Sequence, residues 1–133
     1  LRPVGDEFPG VRVEGEGGVL VLGDPVRLNQ AVRNLTANAV RAAGRPEGVL
    51  LRLVQLQGEA TITVEDDGGG IPEEMLPHIF EKFYKGAGGG SGLGLAIARQ
   101  IAEHHHGLLN VRSQPGETVF EMRLPLIEAV DEE

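Results

Sequence analysis

Apolar and polar residues alternate with a period of two over several short stretches of this chain, which is the pattern of half-buried β-strands. Each stretch is bounded by glycine, proline or another turn-forming residue. In the last stretch, Phe120, Met122 and Leu124 alternate with polar residues, so one face is buried and the other is solvated. The alternation, together with the short apolar run at residues 19–22 that follows a glycine-rich turn, predicts strands at residues 11–14, 19–22, 49–57, 60–66, 108–113 and 118–125.

The first of two longer predicted helices covers residues 25–43. Asp24 precedes it as N-cap, and Pro25 takes the first helical position, where its missing N–H costs no hydrogen bond. Gly44 and Pro46 end it, because glycine favours a left-handed helix end and proline cannot continue a helix. Its apolar residues recur at helical spacing, which predicts that one side packs against a sheet.

The second predicted helix covers residues 93–106 and is stopped by Gly107. Residues 72–83 are expected to be helical only in short pieces, because proline interrupts them. Helices and strands in this order predict an α/β (α+β) two-layer sandwich, with a mixed, mostly antiparallel sheet and about three helices on one face. The 133 residues have room for a single domain, with its core at about residues 11–125 and an acidic tail at 127–133.

Composition excludes several classes of function. Acidic residues outnumber basic ones by 20 to 12, a formal charge of −8, so the chain lacks the positive field that binds nucleic acid or an anionic membrane. It has no cysteine, which excludes a disulfide framework, a thiolate nucleophile and a zinc finger, and is consistent with a reducing cytoplasm. No apolar run approaches the roughly 20 residues of a membrane span. We therefore expect a cytoplasmic domain with no nucleic-acid partner and no direct membrane contact.

Asp66 is the first candidate for chemistry. It follows Ile62 and Val64 at alternate positions of a predicted strand, which puts a carboxylate on the buried face. A carboxylate there is costly unless a donor pairs with it. Gly68 and Gly70 are expected to leave open backbone beside the acid, so that a flat, amino-bearing heterocycle such as adenine could approach. The alternative is that the strand has ended and that Asp66 only caps a turn.

Two asparagines on the first helix form a second candidate. Asn34, Asn38 and Arg41 share a narrow sector of the helix, roughly 100° from the centre of its apolar stripe. Asparagine is a poor helix former, so two at an i, i+4 spacing need a reason. An amide oxygen can ligate Mg²⁺ while a nearby guanidinium faces phosphate. The alternative is a solvated face with incidental asparagines.

The third candidate is the glycine-rich segment at residues 86–94 (GAGGGSGLG), which leads into the second helix. Free backbone N–H groups and the positive end of a helix attract anions such as phosphate. The segment is not a Walker A loop, because no Gly-Lys-Ser/Thr sequence follows it. Taken alone, it could equally be a flexible linker.

Together these segments resemble the ATP-binding catalytic domain of sensor histidine kinases, in the gyrase, heat-shock chaperone, histidine kinase and mismatch-repair ATPase superfamily. The resemblance covers about residues 11–125, starts with the family-like segment 24–30 (DPVRLNQ), and implies the Bergerat ATP-binding fold. Four motif boxes occur in the family's order: an N box at 34–39 (NLTANA), a D-x-G-x-G box at 66–72 (DDGGGIP), an F box at 79–84 (IFEKFY) and a second glycine box at 90–97 (GSGLGLAI).

The resemblance also implies roles for the matching residues. Asp66 would accept the adenine amino proton. Asn38 would be the principal Mg²⁺ ligand, and Asn34 would assist at the metal and phosphates. Lys85 would reach the terminal phosphates from a lid at about residues 84–92. The other residues expected at the nucleotide are Arg41, Gly68, Gly70, Ile71, Phe83, Tyr84, Gly90, Ser91, Gly92, Leu93, Gly94 and Leu95.

The F box and three departures from the family's pattern bear on the lid and the base pocket. Phe80 and Phe83 would anchor the base of the lid to the core. Ala42 stands where the family often has an aromatic ring that stacks on adenine, which implies weaker binding. The segment at residues 85–90 is short and rich in glycine compared with common lids, which implies loose closure of the lid over ATP. Gly69 replaces the proline or other residue that is often found in the first glycine box.

Asn34 distinguishes kinases from hydrolases within the superfamily. Relatives that hydrolyse ATP generally carry glutamate at this position as the base that activates water, and an amide cannot accept that proton at neutral pH. We therefore expect transfer of the γ-phosphoryl group, by positioning and charge neutralisation. Two alternatives stay open: a degenerate nucleotide-binding regulatory module without phosphotransfer, and an ATP-hydrolysing relative.

The acceptor is expected to be a histidine outside this chain, because none of the four histidines has the sequence context of an acceptor. His78 lies in a short helical stretch, and His104, His105 and His106 are typical of a helix end, with a metal site as the alternative. The expected partner is the dimerisation and histidine-phosphotransfer domain of a parent kinase, with a response regulator acting indirectly. The isolated domain is expected to be monomeric, since it lacks dimerising helices.

Overall fold

A computed structural model of the chain describes residues 8–15, 25–84 and 92–125. Within them lie two α-helices and one five-stranded sheet, and neither helix is long and apolar enough to span a lipid bilayer. The elements are β1 (Arg12–Gly15), α1 (Pro25–Ala43), β2 (Val49–Leu56), β3 (Glu59–Asp66), α2 (Gly94–His104), β4 (Leu108–Gln114) and β5 (Glu117–Pro125), with short 3₁₀ turns at Pro46–Gly48 and Leu76–His78.

The sheet is mixed and mostly antiparallel, as predicted. Its strand order is β1-β2-β3-β5-β4; β1 runs parallel to β2, and every other neighbouring pair is antiparallel. Both helices pack on each other and on one face of the sheet, which confirms the two-layer sandwich. The described residues hold two α-helices where the sequence predicts about three. Residues 72–83 form turns and one 3₁₀ turn instead, because their prolines remove donors that a longer helix needs.

The ends of the described elements agree closely with the predicted ones. Helix α1 stops where Gly44 takes a φ of +82°, a conformation that glycine adopts at little cost. Beyond α2, the N–H of Gly107 returns to the carbonyl oxygen of Ala102 at 2.8 Å and closes the helix end. The strand predicted at residues 19–22 and the N-cap Asp24 lie outside the described residues.

The core lies between the helices and the inner face of the sheet. Along β3, Ala60, Ile62 and Val64 are buried at alternate positions. The opposite face of the sheet is solvated and carries charged pairs, such as Arg52 with Glu65. Helix α1 meets the inner face with a fully buried apolar stripe made of Ala31, Val32, Leu35 and Ala39. Full burial of a side chain as large as Val32 or Leu35 contributes roughly 1.5–3 kcal/mol to stability.

One row of side chains closes the inner face where β3 ends. Strand register places Asp66 opposite Thr118 of β5, and Thr118 opposite Ser113 of β4. The neighbouring row is apolar, with Val64 opposite Phe120. Three adjacent strands therefore present three polar side chains side by side at one end of an otherwise apolar surface.

Candidate functional site

Asp66 is the last residue of β3, and only 4% of it is exposed. Its Oδ1 accepts the backbone N–H of Gly68 at 2.9 Å. Its Oδ2 is buried and has no hydrogen-bond partner among the residues that the structure describes. Both interpretations from sequence therefore hold, because one oxygen caps the turn after the strand while the other remains on the buried face.

The surroundings of Asp66 disfavour its charge. Burial raises the pKa of the Asp66 carboxyl above its ordinary value, and the neighbouring Asp67 carboxylate adds to the increase. The N–H of Gly68 opposes this effect on the pKa, since it stabilises the ionised form. A buried polar atom left without a donor is costly and uncommon, and such atoms concentrate at functional sites. Within the described part of the chain, the fold keeps an acceptor here that no protein group satisfies.

Asp67 has a different environment from Asp66. Its side chain is partly exposed, and Oδ2 accepts Nη2 of Arg45 at 2.7 Å. Its backbone N–H donates to the carbonyl oxygen of Gly48 at 3.1 Å. These contacts tie the end of β3 to the connection between α1 and β2. Of the two adjacent carboxylates, Asp66 is the one directed into the fold.

Two hydroxyl groups that no local sequence pattern indicates lie near Asp66. Thr118 lies opposite Asp66 and is 2% exposed, and its Oγ1 is 2.6 Å from Oγ of Ser113. Ser113 Oγ also accepts the N–H of Ile71 at 2.8 Å. Alternation with Phe120 could have placed Thr118 on the buried face. Its position beside Asp66 depends on the pairing of β3 with β5, which no local pattern encodes.

The glycines that follow Asp66 contact protein backbone. A Cβ on Gly68 would lie 2.4 Å from the carbonyl oxygen of Ala42, and one on Gly70 would lie 2.9 Å from the carbonyl group of Gln114. A Cβ on Gly69 would have no described atom within 4 Å. On the side where a side chain would stand, Gly68 and Gly70 are therefore packed against protein backbone and are not open, while their role at a nucleotide stays a prediction. The loop folds against α1 and the β4–β5 hairpin, and the missing side chains admit these neighbours.

Asn34 joins the two helices. Its Nδ2 donates to the carbonyl oxygen of Gly94, the first residue of α2, at 3.2 Å. Asn38 lies one turn further along α1, is half-buried, and makes no side-chain hydrogen bond with any residue that the structure describes. Arg41 is exposed in the last turn of α1 and forms no ion pair with the described residues. The amide oxygen of Asn38 and the guanidinium of Arg41 are thus not engaged by any side chain or backbone group in residues 8–15, 25–84 and 92–125.

Phe83 and Gly92 meet at the two ends of the segment assigned to the lid. The N–H of Phe83 donates to the carbonyl oxygen of Gly92 at 2.6 Å, and φ is +64° at Phe83 and +81° at Gly92. A Cβ on Gly92 would lie 2.7 Å from the backbone of Phe83, so only glycine fits there. The Phe83 side chain is 68% exposed. The prediction that Phe83 anchors the lid to the core is wrong, because the positive φ directs its backbone to Gly92 and leaves the ring outside.

Phe80 does anchor the F box to the core. Its ring meets the buried ring of Phe120 edge to face, with 6.1 Å between centroids. The guanidinium carbon of Arg99 on α2 lies 5.3 Å from the centroid of the Phe80 ring. Phe80 therefore holds the F box to the sheet and to α2, and Ile79 and Tyr84 of the same box also pack in or against the core.

The other residues predicted at the nucleotide differ in where they lie: one begins α2, some pack against the core, and some lie outside the described residues. The carbonyl oxygen of Leu93 accepts the N–H of Ile97 at 2.9 Å and so begins α2 at its positive end. Three of these residues pack against the core, namely Ile71, Tyr84 and Leu95. Three others lie outside the described residues, namely Lys85, Gly90 and Ser91.

The consecutive histidines lie at the end of α2, as predicted. His105 is buried, and its Nδ1 is 2.8 Å from the carbonyl oxygen of Ile101. His106 has a φ of +65° and leads into Gly107. Over residues 8–15, 25–84 and 92–125, no group of three or more His, Cys, Asp or Glu side chains is arranged to hold a metal ion.

Helix α1 connects the two halves of this site. It packs against β3 and α2, its last turn touches the loop after Asp66, and Asn34 reaches the start of α2. One half offers a buried acceptor and two hydroxyl groups. The other offers a free amide and the N-terminal end of a helix. Such a site suits a ligand with a hydrogen-bond donor at one end and an anionic group, with its cation, at the other.

The comparisons with known proteins agree with this geometry. Residues 23–128 match the family described as histidine kinase-, DNA gyrase B-, and HSP90-like ATPase. The chain is 40% identical over 121 residues to the signal transduction histidine-protein kinase AfsQ2 of Streptomyces coelicolor, covering 86% of this chain and 22% of that protein. It is 40% identical over 114 residues to the probable sensor histidine kinase TcrY of Mycobacterium tuberculosis, covering 81% of this chain and 24% of that protein.

Solved structures give the same result. The mycobacterial sensor histidine kinase MprB superposes with a TM-score of 0.76 at 32% identity, covering 94% of this chain and 90% of that one. The catalytic domain of histidine kinase ThkA superposes with a TM-score of 0.81 at 27% identity, again covering 94% of this chain and 90% of that one. The chain therefore belongs to the histidine kinase-, DNA gyrase B- and HSP90-like ATPase family and is, within it, an ATP-binding catalytic domain of the sensor histidine kinase type.

Proposed function

We propose that this chain binds Mg-ATP and donates the γ-phosphoryl group to a histidine on a separate dimerisation domain of a two-component sensor kinase. The observation that carries the proposal is Oδ2 of Asp66, a buried acceptor to which no described residue donates. Similarity to named sensor histidine kinases at 40% identity supports the same assignment. The chain spans about a quarter of each of those proteins, so the acceptor domain is sought outside it.

Asp66 is proposed to recognise the adenine base. The adenine amino group would donate to Oδ2, while Oδ1 keeps its bond from Gly68. A hydrogen bond to a charged acceptor contributes about 1.5–3 kcal/mol. Because Oδ2 is shielded from solvent, binding requires a local displacement next to Asp66. Ala42 is exposed and offers no ring for stacking, so the carboxylate supplies much of the recognition.

Asn38 is proposed to hold Mg²⁺ through its uncommitted amide oxygen. The oxygen donor fits a hard cation that keeps phosphates and waters at its other positions. Asn34, oriented by its bond to Gly94, would assist there. When bound, the metal ion neutralises charge on the phosphate groups during transfer. Further phosphate contacts are proposed for Arg41, Lys85, Gly90, Ser91, Gly92 and Gly94.

Asn34 also favours transfer over hydrolysis. Its amide cannot take a proton from water, and its Nδ2 is engaged with Gly94. The attacking group is therefore proposed to be an external histidine, and the role of this chain is to bind and orient the nucleotide. The response regulator would receive the group in a later step. The chain is proposed to act in the cytoplasm and as a monomer when isolated.

Calorimetric titration of ATP with Mg²⁺ tests the base site. Asp66→Asn is expected to weaken binding by about 10- to 100-fold, the equivalent of one charge-assisted hydrogen bond. Asp67→Asn is the matched control, because this neighbouring carboxylate pairs with Arg45 at the surface; its affinity should stay within about 2-fold of the wild type. Equal affinity of the wild type and Asp66→Asn would overturn the assignment.

The dependence of binding on magnesium tests the metal ligand. With a formal charge of −8, the chain should bind ATP more weakly when Mg²⁺ is withdrawn. Asn38→Ala should lose most of that difference. Equal ATP affinity of the wild type with and without Mg²⁺ would contradict the role of Asn38.

Transfer is tested with γ-labelled ATP and a dimerisation domain of the parent kinase supplied in trans. The expected product is an acid-labile phosphohistidine on that domain, formed only when this chain is present. ATP binding without any transfer would indicate the regulatory module instead. Steady release of phosphate by this chain alone would indicate an ATP-hydrolysing relative.

A further inference from the structure

His78 and Tyr84 are separated in the chain but are brought together by two successive turns. The N–H of Glu81 donates to the carbonyl oxygen of His78 at 2.9 Å, and the N–H of Tyr84 donates to that of Glu81 at 3.2 Å. The imidazole of His78 stacks on the Tyr84 ring, with 5.7 Å between centroids and 29° between the ring planes. Residues 78–84 are therefore held by local turns and by this ring contact rather than by a continuous helix.

Glu81 orients the imidazole of His78. Nδ1 of His78 lies 3.0 Å from Oε2 of Glu81, and because a carboxylate only accepts, this nitrogen carries the proton of the bond. Both side chains are more than half exposed, so a pair of this kind adds little stability by itself. Its effect is geometric, because it limits rotation of the imidazole and so keeps that ring over Tyr84.

The Tyr84 ring lies between this imidazole and the core. Tyr84 is partly buried and packs against the apolar cluster, while the more exposed His78 stacks on it. If the imidazole were removed, the described contacts left to hold Tyr84 would be its turn bond to Glu81 and its core packing. His78 is therefore the residue that restrains the Tyr84 ring from the solvent side.

The end of the F box leads directly to the phosphate end of the site. Phe83, next to Tyr84, donates its N–H to the carbonyl oxygen of Gly92 at 2.6 Å. Two residues beyond Gly92, the carbonyl oxygen of Gly94 accepts Nδ2 of Asn34 at 3.2 Å. Two hydrogen bonds and a short stretch of chain thus connect Tyr84 to Asn34, whereas the base end of the site is built on the sheet.

We propose that His78 is a positioning residue for the phosphate end of the nucleotide site: by stacking on Tyr84, it holds the end of the F box against the start of α2 and keeps Asn34 and Tyr84 in place for the triphosphate. This inference rests on the proposed function, because it assigns a further part of the same site. His78 acts through Tyr84 and makes no contact with the nucleotide in this arrangement. The base end does not depend on His78, since it is aligned by strand pairing.

The test compares ATP, supplied with Mg²⁺, with adenosine, which keeps the base but has no phosphate groups. Each is titrated into the wild type, His78→Ala and His78→Phe, with calorimetry for ATP and NMR chemical shifts for adenosine. We expect His78→Ala to weaken ATP about 5-fold, the equivalent of one aromatic pair. It should leave the affinity for adenosine unchanged within about 2-fold, because adenosine meets only the base end. His78→Phe, which keeps a flat ring over Tyr84, should restore most of the affinity for ATP.

The two ligands separate positioning from a general loss of structure. If His78→Ala weakens ATP and adenosine equally, or weakens neither, the proposal is overturned. Binding of ATP by His78→Phe that is as weak as by His78→Ala would also overturn it, because the stacked ring would then not carry the effect. Failure of the wild type to bind ATP would instead refute the proposed function itself.

His104→Ala is the matched control for removing an exposed histidine. His104 lies in the last turn of α2, and its ring also meets a neighbouring ring, that of His105, with 5.7 Å between centroids. The control therefore removes the same side chain and one ring contact, away from Tyr84. It should leave both affinities within about 2-fold of the wild type. If His104→Ala lowers the affinity for ATP relative to adenosine as much as His78→Ala does, the effect is not specific to His78 and the proposal fails.

Discussion

The two halves of the site are constructed in different ways. At the base end, Asp66, Thr118 and Ser113 are aligned by the hydrogen-bonded register of three neighbouring strands. At the phosphate end, α1 and α2 are held by apolar packing and by a described side-chain hydrogen bond from Asn34 to the carbonyl oxygen of Gly94, at 3.2 Å. Backbone pairing fixes the geometry of the first half. In the second half, a small movement of one helix would change the distance between Asn38 and the start of α2.

This difference leads to an expectation about where the domain tolerates change. Disturbance of the base end should cost stability, because the site and the sheet are one structure. Disturbance of the phosphate end should cost less stability and act mainly on ligand binding. Four sets of variants test this contrast, from the largest expected effect to the smallest.

Gly68→Ala should produce the largest loss. The new Cβ would meet the carbonyl oxygen of Ala42 at 2.4 Å, so the loop or the end of α1 must move. We expect a decrease of about 2–4 kcal/mol in the free energy of unfolding, measured by urea titration. Gly69→Ala is the control, since nothing lies within 4 Å of its Cβ, and should stay within about 0.5 kcal/mol of the wild type. Equal losses would contradict the packing of this loop.

Asn34→Ala and Asn38→Ala form a matched pair at the phosphate end. Both remove an asparagine from α1 and gain the same helix propensity, but only Asn34 gives up a hydrogen bond, to Gly94. Asn34→Ala should therefore be less stable than Asn38→Ala by about 1 kcal/mol in urea titration. Equal stability of the two variants would show that the bond between the helices contributes nothing.

The pH dependence of stability tests the burial of Asp66. Because the pKa of its carboxyl is raised from the usual 3.8, the folded protein binds more protons than the unfolded chain between the two values. Without nucleotide, the stability of the wild type relative to Asp66→Asn should decrease as pH rises through that window, then level off. Urea titrations over a pH series measure this. A relative stability that rises with pH would mean that the carboxylate is satisfied in the folded state.

Arg99→Ala should have the smallest effect. It removes the guanidinium from the face of the Phe80 ring and a partly exposed ion pair with Glu103. We expect a loss below about 1 kcal/mol, measured as a small decrease in Tm. Glu103→Gln removes the ion pair and keeps the contact with Phe80, so it should cost less. A decrease in Tm for Glu103→Gln as large as or larger than that for Arg99→Ala would assign the stabilisation to the ion pair.

The fold and the buried position of Asp66 could be predicted from local patterns, because alternation along β3 directly reports which side chains face the core. Thr118 and Ser113 could not, since they reach Asp66 through the pairing of strands distant in sequence. Strand register depends on which distant segments pair, and a single sequence does not reveal that pairing.

Two motif residues are explained by a neighbouring backbone. Gly70 packs against the carbonyl group of Gln114, and Phe83 donates its N–H to the carbonyl oxygen of Gly92 and leaves its ring exposed instead of packing it in the core. A motif identifies which residues matter. It does not say whether a residue serves the ligand or the chain that surrounds it.

The bond between Phe83 and Gly92 also bears on how this domain can diversify. This hydrogen bond, with 2.6 Å between nitrogen and oxygen, joins the residues on either side of residues 84–91. The two points at which that stretch leaves and re-enters the described fold are therefore held close together. Doubling the length of a closed loop costs only about 0.6 kcal/mol. Descendants of this sequence could therefore exchange the stretch for longer or chemically different ones and acquire new partners while the rest of the fold is inherited unchanged.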